Sequence, residues 1–361
     1  MEPHTQAKHT ILRHYLQAWL PIMSSLTAKW ASDGRGRLVL VDGFAGPGRY
    51  DTGDEGSPLI MLKAFIEHTQ IDRITAELVY LFIEERQDRL EYLQGEVANL
   101  DLPEQVKCSF ERGRFQDVFT DILDDIQEQD GQLAPTFAFI DPFGYTGAPM
   151  HLTGRFLTFE RCEALVYMPL PFVNRFIGRE GQAEALTSLY GSERWRKAVP
   201  LKGSQRIEYL HELFQEQLSF KNPDRLVRSF EIPTAKGTGY RLYFTTSHKR
   251  GLEKMKSAMW AADPFEGKRF RDTTDQDLVL FQPEPDTGRL LHQLRTHFGK
   301  KEFSIEEAEC FTLLHTAFLP KAHLKKRTLI PQERTGKLEV VNTPRKRAFT
   351  LPATTRMRFL S

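Results

Sequence analysis

Arg37-Leu-Val-Leu-Val-Asp42 runs directly into Gly43-Phe-Ala-Gly-Pro-Gly48. A β-rich apolar run ends in an acid and then meets a glycine turn. Ser57-Pro58 opens an apolar helical stretch over 58–68, with Ser at N-cap and Pro at N1. A second apolar run, Leu78-Val-Tyr-Leu-Phe-Ile83, ends at Glu84-Glu85 and is followed by a helix pattern over 86–99. A weaker strand near 106–110 precedes a helix at about 115–128. Thr136–Ile140 ends at Asp141-Pro142, and Glu163–Met168 ends at Pro169. Strands that are nearly all apolar and alternate with helices specify an α/β fold, a mostly parallel sheet covered by helices on both faces.

Working outward, residues 6–31 read as an opening helical segment, with Ile11, Tyr15, Trp19 and Ile22 at helical spacing. A polar helical insertion spans about 172–222. Strands near 227–233 and 239–246, split by Lys236-Gly-Thr-Gly239, form a closing hairpin with one antiparallel strand at or near an edge, and a helix at 248–262 follows. Pro283, Pro285 and Gly288 mark a boundary. Beyond it, helix patterns at about 289–298, 304–315 and 319–327 lead to β-like runs at Lys337–Val341 and Arg347–Leu351, the arrangement of a winged helix. The expected organisation is a helical segment over 1–35 packed on the core, an α/β domain over 36–284 and a basic winged-helix-like α+β domain over 285–361.

The 361 residues fit two or three domains at about 150 residues each. With 40% hydrophobic and 27% charged residues the composition is that of a globular protein, which excludes collagen-like, disordered and disulfide-scaffold classes. No apolar run reaches the roughly 18 residues of a membrane helix. The start of the chain lacks the pattern of a signal peptide, so a cytoplasmic protein is expected. Cys108, Cys162 and Cys310 are scattered and read as reduced thiols rather than a zinc site. His4, His9 and His14 recur every five residues, off any single helical face, and no metal is expected. The net charge of +1 hides an asymmetry: residues 312–361 carry eleven Lys or Arg against two acids, net +9, leaving residues 1–311 at −8. The surplus falls in Lys325-Lys326-Arg327, Arg345-Lys346-Arg347 and Arg356-Met357-Arg358. Such clusters neutralise phosphates and release counterions, so nucleic acid is the expected partner; a solvated basic face is the bland alternative.

In open α/β sheets ligands bind beyond the carboxyl ends of the strands. Those ends carry Asp42, Glu84, the Gly113-Arg114 region and Asp141. The Phe44-Ala45-Gly46-Pro47-Gly48 turn matches neither GxGxxG nor GxxxxGK[ST]. Asp51, Asp54 and Glu55 follow it and disfavour a polyphosphate. A cationic sulfonium cofactor is tolerated there, and Glu84 can accept both hydroxyls of a ribose. That is the logic of S-adenosylmethionine binding; a tight βα turn without a ligand is the alternative.

Asp42–Gly48 resembles motif I of Rossmann-like class I methyltransferases, in the D-x-F-A-G-x-G form of nucleic-acid methyltransferases. Phe139-Ile-Asp-Pro-Phe-Gly-Tyr145 resembles the D/N-P-P-Y/F motif of enzymes that methylate exocyclic amines. The run Asp141–Pro149 is also similar to the D-P-F-G-x-P-x-P segment of tRNA guanine-N2 dimethyltransferases. Over nearly the whole chain, Val41–Arg49, Gly56–Ile60, Phe139–Tyr145, Val173–Phe176, Arg194–Arg196, Thr246–Met255 and Ala258–Trp260 resemble the three-Cys-motif partner (TcmP) family. This resemblance implies a Rossmann-like methyltransferase sheet, a bacterial or phage setting and a genetically linked partner carrying the three-Cys motif.

It settles no reaction; the resemblance to class I methyltransferases is what implies a cofactor pocket of Asp42, Phe44, Ala45, Gly46, Gly48 and Glu84. Asp117, three residues later than the acid that commonly follows the third strand, is the candidate for the adenine. Asp141 and the Pro142 carbonyl would accept the hydrogens of an amine, favouring its pyramidal, reactive form, and Phe143 or Tyr145 would stack on the base. Asn174 and Arg175 would line the acceptor cleft, and the basic triplets Lys325–Arg327 and Arg345–Arg347 would hold the polyanion. The motif departs from the family pattern in having one proline where two are common. Arg194-Trp195-Arg196 and His248 read either as ligand contacts or as packing and capping groups. Three functions follow: a methyltransferase for a nucleobase amine, a catalytically reduced subunit that binds nucleic acid for a partner enzyme, or a small-molecule or protein methyltransferase.

Overall fold

The computed structural model describes residues 3–31, 34–220, 222–232, 239–269, 285–342 and 348–360. The chain folds as two compact units, Met1–Ala258 and Met259–Ser361. The division falls well before the Pro283–Gly288 punctuation. Proline and glycine mark breaks in local structure, whereas compactness follows from which residues share a core.

The first unit opens with α1 (Pro3–Thr27). It continues as β1 (Arg37–Asp42), α2 (Ser57–Ile66), β2 (Glu77–Glu84), α3 (Gln87–Ala98), β3 (Val106–Arg112), α4 (Phe115–Glu128) and β4 (Thr136–Ile140). Then come α5 (Met150–Thr158), β5 (Cys162–Met168), α6 (Leu170–Phe176), α7 (Ala183–Tyr190), α8 (Gly203–Leu218), β6 (Leu226–Ile232), β7 (Tyr240–Thr246) and α9 (Lys249–Ala262), whose last four residues fall in the second unit. The seven strands form one sheet in the order β3-β2-β1-β4-β5-β7-β6. β1 to β5 run parallel, with Val39 opposite both Val79 and Thr136, and Ala138 opposite Ala164. β7 is antiparallel to β5 and β6, so the antiparallel strand sits one place in from the edge. Residues 233–238, where the hairpin turn was expected, lie outside the described residues. The order reverses between β1 and β4, which makes their carboxyl ends the switch point of a doubly wound, Rossmann-like sheet.

The side-chain period of two sorts each strand between the faces. In β4, Phe137 meets Tyr15 and Trp19 of α1, at ring separations of 5.3 and 6.2 Å. Its neighbours Ala138 and Ile140 join Val41, Ile83, Phe115, Phe119 and Phe156 in the core on the other face. α7 and α8 add Tyr190 and Phe214 to that same core. Ile11 and Tyr15 are fully buried as the helical spacing predicts, and Trp19 nearly so; Ile22 is half-buried. Trp195 is buried and its indole donates to Thr187 Oγ1 at 2.9 Å, while Arg194 is paired with Glu216. That triplet packs and braces the insertion.

The second unit contains α10 (Gly288–Phe298), β8 (Phe303–Ser304), α11 (Ile305–His315), a π-helix (Pro320–Leu329), α12 (Ile330–Arg334), β9 (Leu338–Val340) and β10 (Arg356–Phe359). The strands form an antiparallel sheet in the order β8-β10-β9. Ser304 and Glu307 form a reciprocal capping box at the start of α11. Trp260, Leu294, Phe303, Leu324, Met357 and Phe359 share this unit's core. The β-like run at 347–351 is not the strand that forms. Phe349 takes a left-handed φ of 56° and is exposed. The ladder is built instead by Arg356–Phe359, whose alternation buries Met357 and Phe359. Among the described residues no helix is long and apolar enough to cross a membrane.

A Cβ on Gly43 would lie 2.6 Å from the buried Phe115 ring. Gly43→Ala is therefore expected to cost about 1–3 kcal/mol through overpacking, read as a lower urea midpoint with an unchanged slope.

Candidate active site

The turn after β1 is fixed by main-chain bonds. Ala45 N–H donates to the Ile83 carbonyl at 2.9 Å, and Gly56 N–H to the Gly48 carbonyl at 2.7 Å. Gly48 has φ +79°, and a Cβ there would meet Leu93 at 2.6 Å. The backbone is thus held where a side chain would not fit. Across from it, Glu84 at the end of β2 accepts Gly46 N–H on Oε2 and Arg86 N–H on Oε1, both at 2.9 Å. Asp42 is completely buried; Oδ1 accepts Phe44 N–H at 3.2 Å, and Oδ2 has no partner. Burial pushes the Asp42 carboxyl up to about 7, the nearby Ser57 hydroxyl and the Phe44 N–H oppose the rise, and Asp141 and Glu84 add to it.

A cleft of about 360 Å³ opens over these strand ends. Phe44, Glu84, Arg89, Arg114, Gln116 and Phe143 are among its walls. The acids expected to repel phosphate do not border it. Glu55 is held by Lys63 and, at 3.6 Å, by Arg13. The arginines that do border it include Arg86, paired with Asp88 at 2.6 Å, and Arg114, paired with Asp117 at 2.7 Å.

α1 enters the site from the other side. Lys8, a residue sequence reasoning missed, donates to Asp141 Oδ2 at 2.6 Å, and its ammonium lies 4.2 Å from the Tyr167 ring centroid. The side chains are 9% and 21% exposed, so this ion pair is largely removed from water. His9 beside it is buried and stacks on Tyr50 at 6.1 Å, with Nδ1 unpartnered. Burial first, and then the neighbouring Lys8 cation, pull the His9 imidazole down to about 3. Burial, reinforced by Asp141 and Asp42, pushes Tyr50 up to about 12. The signal for Lys8 was a lysine three, four and seven residues before Ile11, Leu12 and Tyr15, on the stripe that becomes fully buried.

Asp42, Phe44, Ala45, Gly46, Gly48, Glu84, Asp141 and Pro142 lie at or just beyond the carboxyl ends of β1, β2 and β4; of these, Phe44 and Glu84 border the cleft and the other six do not. Phe143 stands at the mouth of the cleft, 75% exposed, with the Arg89 guanidinium 5.6 Å from its ring centroid. Tyr145 turns the other way. It is buried, donates to Gln182 and packs 6.0 Å from Phe176, so it is a core residue rather than a stacking platform. Asp117 is exposed and tied to Arg114. One residue of helical rotation makes Gln116, not Asp117, a wall of the cleft.

Asn174 accepts from Arg206 at 3.1 Å, and Arg175 is exposed with its guanidinium 5.4 Å from the Phe176 ring centroid. Neither borders the cleft. In the second unit Lys325 pairs with Glu309 at 2.9 Å, Lys326 is exposed, and the Arg327 carbonyl accepts from Thr287. Arg345, Lys346 and Arg347 lie outside the described residues. His248 caps α9: its Nδ1 accepts Arg250 N–H at 3.1 Å. No group of three or more metal-ligating side chains occurs among the described residues.

No family model matches this chain, and no curated protein matches it. Solved structures do. An O-methyltransferase from Bacillus cereus in complex with SAH is 12% identical over 65% of this chain and 80% of its own, at a TM-score of 0.35. The O-methyltransferase TomG from Streptomyces achromogenes, in complex with SAM, is 15% identical over 68% and 90%, at 0.34. Protein LPL1258 from Legionella pneumophila is 13% identical over 65% and 84%, also at 0.34. The Rossmann-like character of this chain rests on its strand order and switch point.

Lys8→Met is expected to destabilise the protein by about 1–3 kcal/mol, because it leaves the Asp141 carboxylate without its counter-charge. Asp141→Asn should cost less in that background than alone, a coupling that a double-mutant cycle measures.

The Asp42 shift has a sign. Its folded value lies above the unfolded 3.8, so its stabilising contribution is complete below about 3.8 and is lost as pH rises through about 7. Urea unfolding at pH 5 and pH 8 should therefore show a smaller loss of stability with rising pH in Asp42→Asn than in the parent.

Proposed function

We propose that this protein is an S-adenosylmethionine-dependent methyltransferase that modifies an exocyclic amine of a nucleobase in DNA or RNA. The observation that carries the reading is the Glu84 carboxylate at the end of β2, held by Gly46 and Arg86 amides over the switch point, next to a buried Asp42 with an open oxygen.

These residues fit the cofactor. Each Glu84 oxygen uses one acceptor site on a main-chain amide and keeps another for a ribose hydroxyl. The turn brings no lysine for a polyphosphate, and at least two of the bordering arginines, Arg86 and Arg114, are neutralised by their own aspartates. Gln116 carries both a donor and an acceptor, the pair needed by an adenine edge. The cofactor supplies an electrophilic methyl group on a cationic sulfur.

The chain's own part is to orient an acceptor. Asp141 Oδ1 and the Pro142 carbonyl accept the amine hydrogens, which frees the nitrogen lone pair from the ring. Lys8 holds the other Asp141 oxygen and fixes the carboxylate plane. Alignment of this kind accounts for most of the acceleration in such a transfer. Phe143, exposed at the mouth, offers the stacking face. A base in a duplex must first be flipped out, at a cost of a few kcal/mol.

The winged-helix-like reading of 285–361, with its basic surplus, supplies phosphate contacts in this scheme. The resemblance to the TcmP family adds a genetically linked partner protein. The Lys8–Asp141 contact favours one second reading, in which the acceptor acid is permanently engaged and the chain binds nucleic acid for that partner's chemistry.

Calorimetric titration with S-adenosylmethionine and S-adenosylhomocysteine is expected to give micromolar binding that Glu84→Ala weakens at least tenfold. Asp141→Ala should then abolish methyl transfer to nucleic acid while leaving cofactor binding intact. No binding by the folded protein overturns the enzyme reading. Cofactor binding without a salt-sensitive polyanion affinity redirects it to a small-molecule or protein acceptor.

A further inference from the structure

The other end of the first unit carries a second cavity. Glu163 stands at the start of β5, opposite Phe137 near the start of β4, whereas Asp141 follows the end of β4. Glu163 therefore lies across the sheet's length from the cleft. Its carboxyl is buried; Oε2 accepts the Tyr15 hydroxyl and Oε1 the Thr246 hydroxyl.

A groove of about 310 Å³ opens above it, between the C-terminal half of α1 and the first turns of α9. That volume is at the small end of the roughly 300–1,000 Å³ typical of ligand sites. Gly251 lets α9 pack directly on Glu163 and Thr246, since a Cβ there would lie 2.5 Å from Glu163 Oε1 and 2.8 Å from Thr246 Oγ1.

The walls and the rim differ in character. Ile22, Met23 and Leu26 give a half-buried apolar wall. Trp19 lines the groove too. It is 4% exposed, and its indole N–H faces Glu163 without reaching hydrogen-bond geometry, so a buried donor is left over. The rim is cationic. Arg161 is already engaged by Glu160 and by the Trp30 ring. Lys29, Arg250 and Lys254 have no carboxylate within ion-pair distance among the described residues. The first turn of α9 holds no acid, while Lys249 and Arg250 stand there. Cations at that end oppose the helix dipole by about 0.3–1 kcal/mol each, a cost that a bound anion offsets.

We propose that this groove binds a small amphipathic anion, an aliphatic carboxylate whose chain lies along Trp19, Ile22, Met23 and Leu26 and whose head meets Lys29, Arg250 and Lys254. The site is separate from the cleft at the switch point and does not depend on the reaction proposed there.

Calorimetry of the full chain with octanoate, acetate and 1-octanol tests it. Saturable binding of one octanoate is expected, with acetate and 1-octanol at least tenfold weaker, because each lacks one half of the recognition. The double charge reversal Arg250→Glu/Lys254→Glu should weaken octanoate at least tenfold. If that variant does not fold, the exposed Lys29→Glu should weaken it severalfold. The proposal is overturned if octanoate does not bind, if 1-octanol binds as well, or if the folded charge-reversal variants bind octanoate like the parent.

Discussion

Three carboxyl groups converge where β1, β2 and β4 end, and one of them, Asp42, has no access to water. An isolated buried carboxylate is costly, so the group shifts its titration and its surroundings must supply compensation. Here the compensation comes from three directions. Main-chain amides of the glycine turn reach Asp42 and Glu84. The Arg86 amide completes the second carboxylate. The Lys8 ammonium, carried in by α1, meets the third. The glycine turn and α1 both serve this requirement, the turn through its main-chain amides and α1 through Lys8.

α1 therefore does more than cover one face of the sheet. Its apolar stripe, with Tyr15 and Trp19 against Phe137, fixes its rotation. That rotation carries Lys8 and His9 to the switch point at one end and leaves Ile22, Met23 and Leu26 beside Glu163 at the other. Just over four turns separate Lys8 from Met23 along the helix axis, about 22 Å at 1.5 Å per residue. A single element thus reaches two chemically different regions of the first unit. The first is polar and charge-compensated; the second is apolar with a cationic rim on which Arg161 is paired with Glu160.

The second unit is held together differently. Its small antiparallel sheet buries alternate residues of β10 against helices that carry Leu294 and Leu324. Some of its basic surplus is already neutralised, by Glu309 on Lys325 and by Glu339 on Arg358. The charge available to a polyanion is therefore less than the sequence count.

The sequence by itself determined the strands and their ends. Strands buried on both faces need continuous apolar runs, and the polar residue that closes each run is a local fact; Asp42, Glu84 and Asp141 are legible for that reason. The glycine turn is legible because its backbone excludes side chains. Tertiary structure decided the rest. Whether Gln116 or Asp117 borders the cleft depends on the phase of α4, which Phe115 and Phe119 set by packing into the core. Tyr145 turns inward because Gln182 and Phe176, far along the chain, receive it. Lys8 meets Asp141 across 133 residues of sequence. Such partners are chosen by how helices seat on the sheet, and seating minimises exposed apolar area and uncompensated charge over the whole unit at once. No local pattern carries that information.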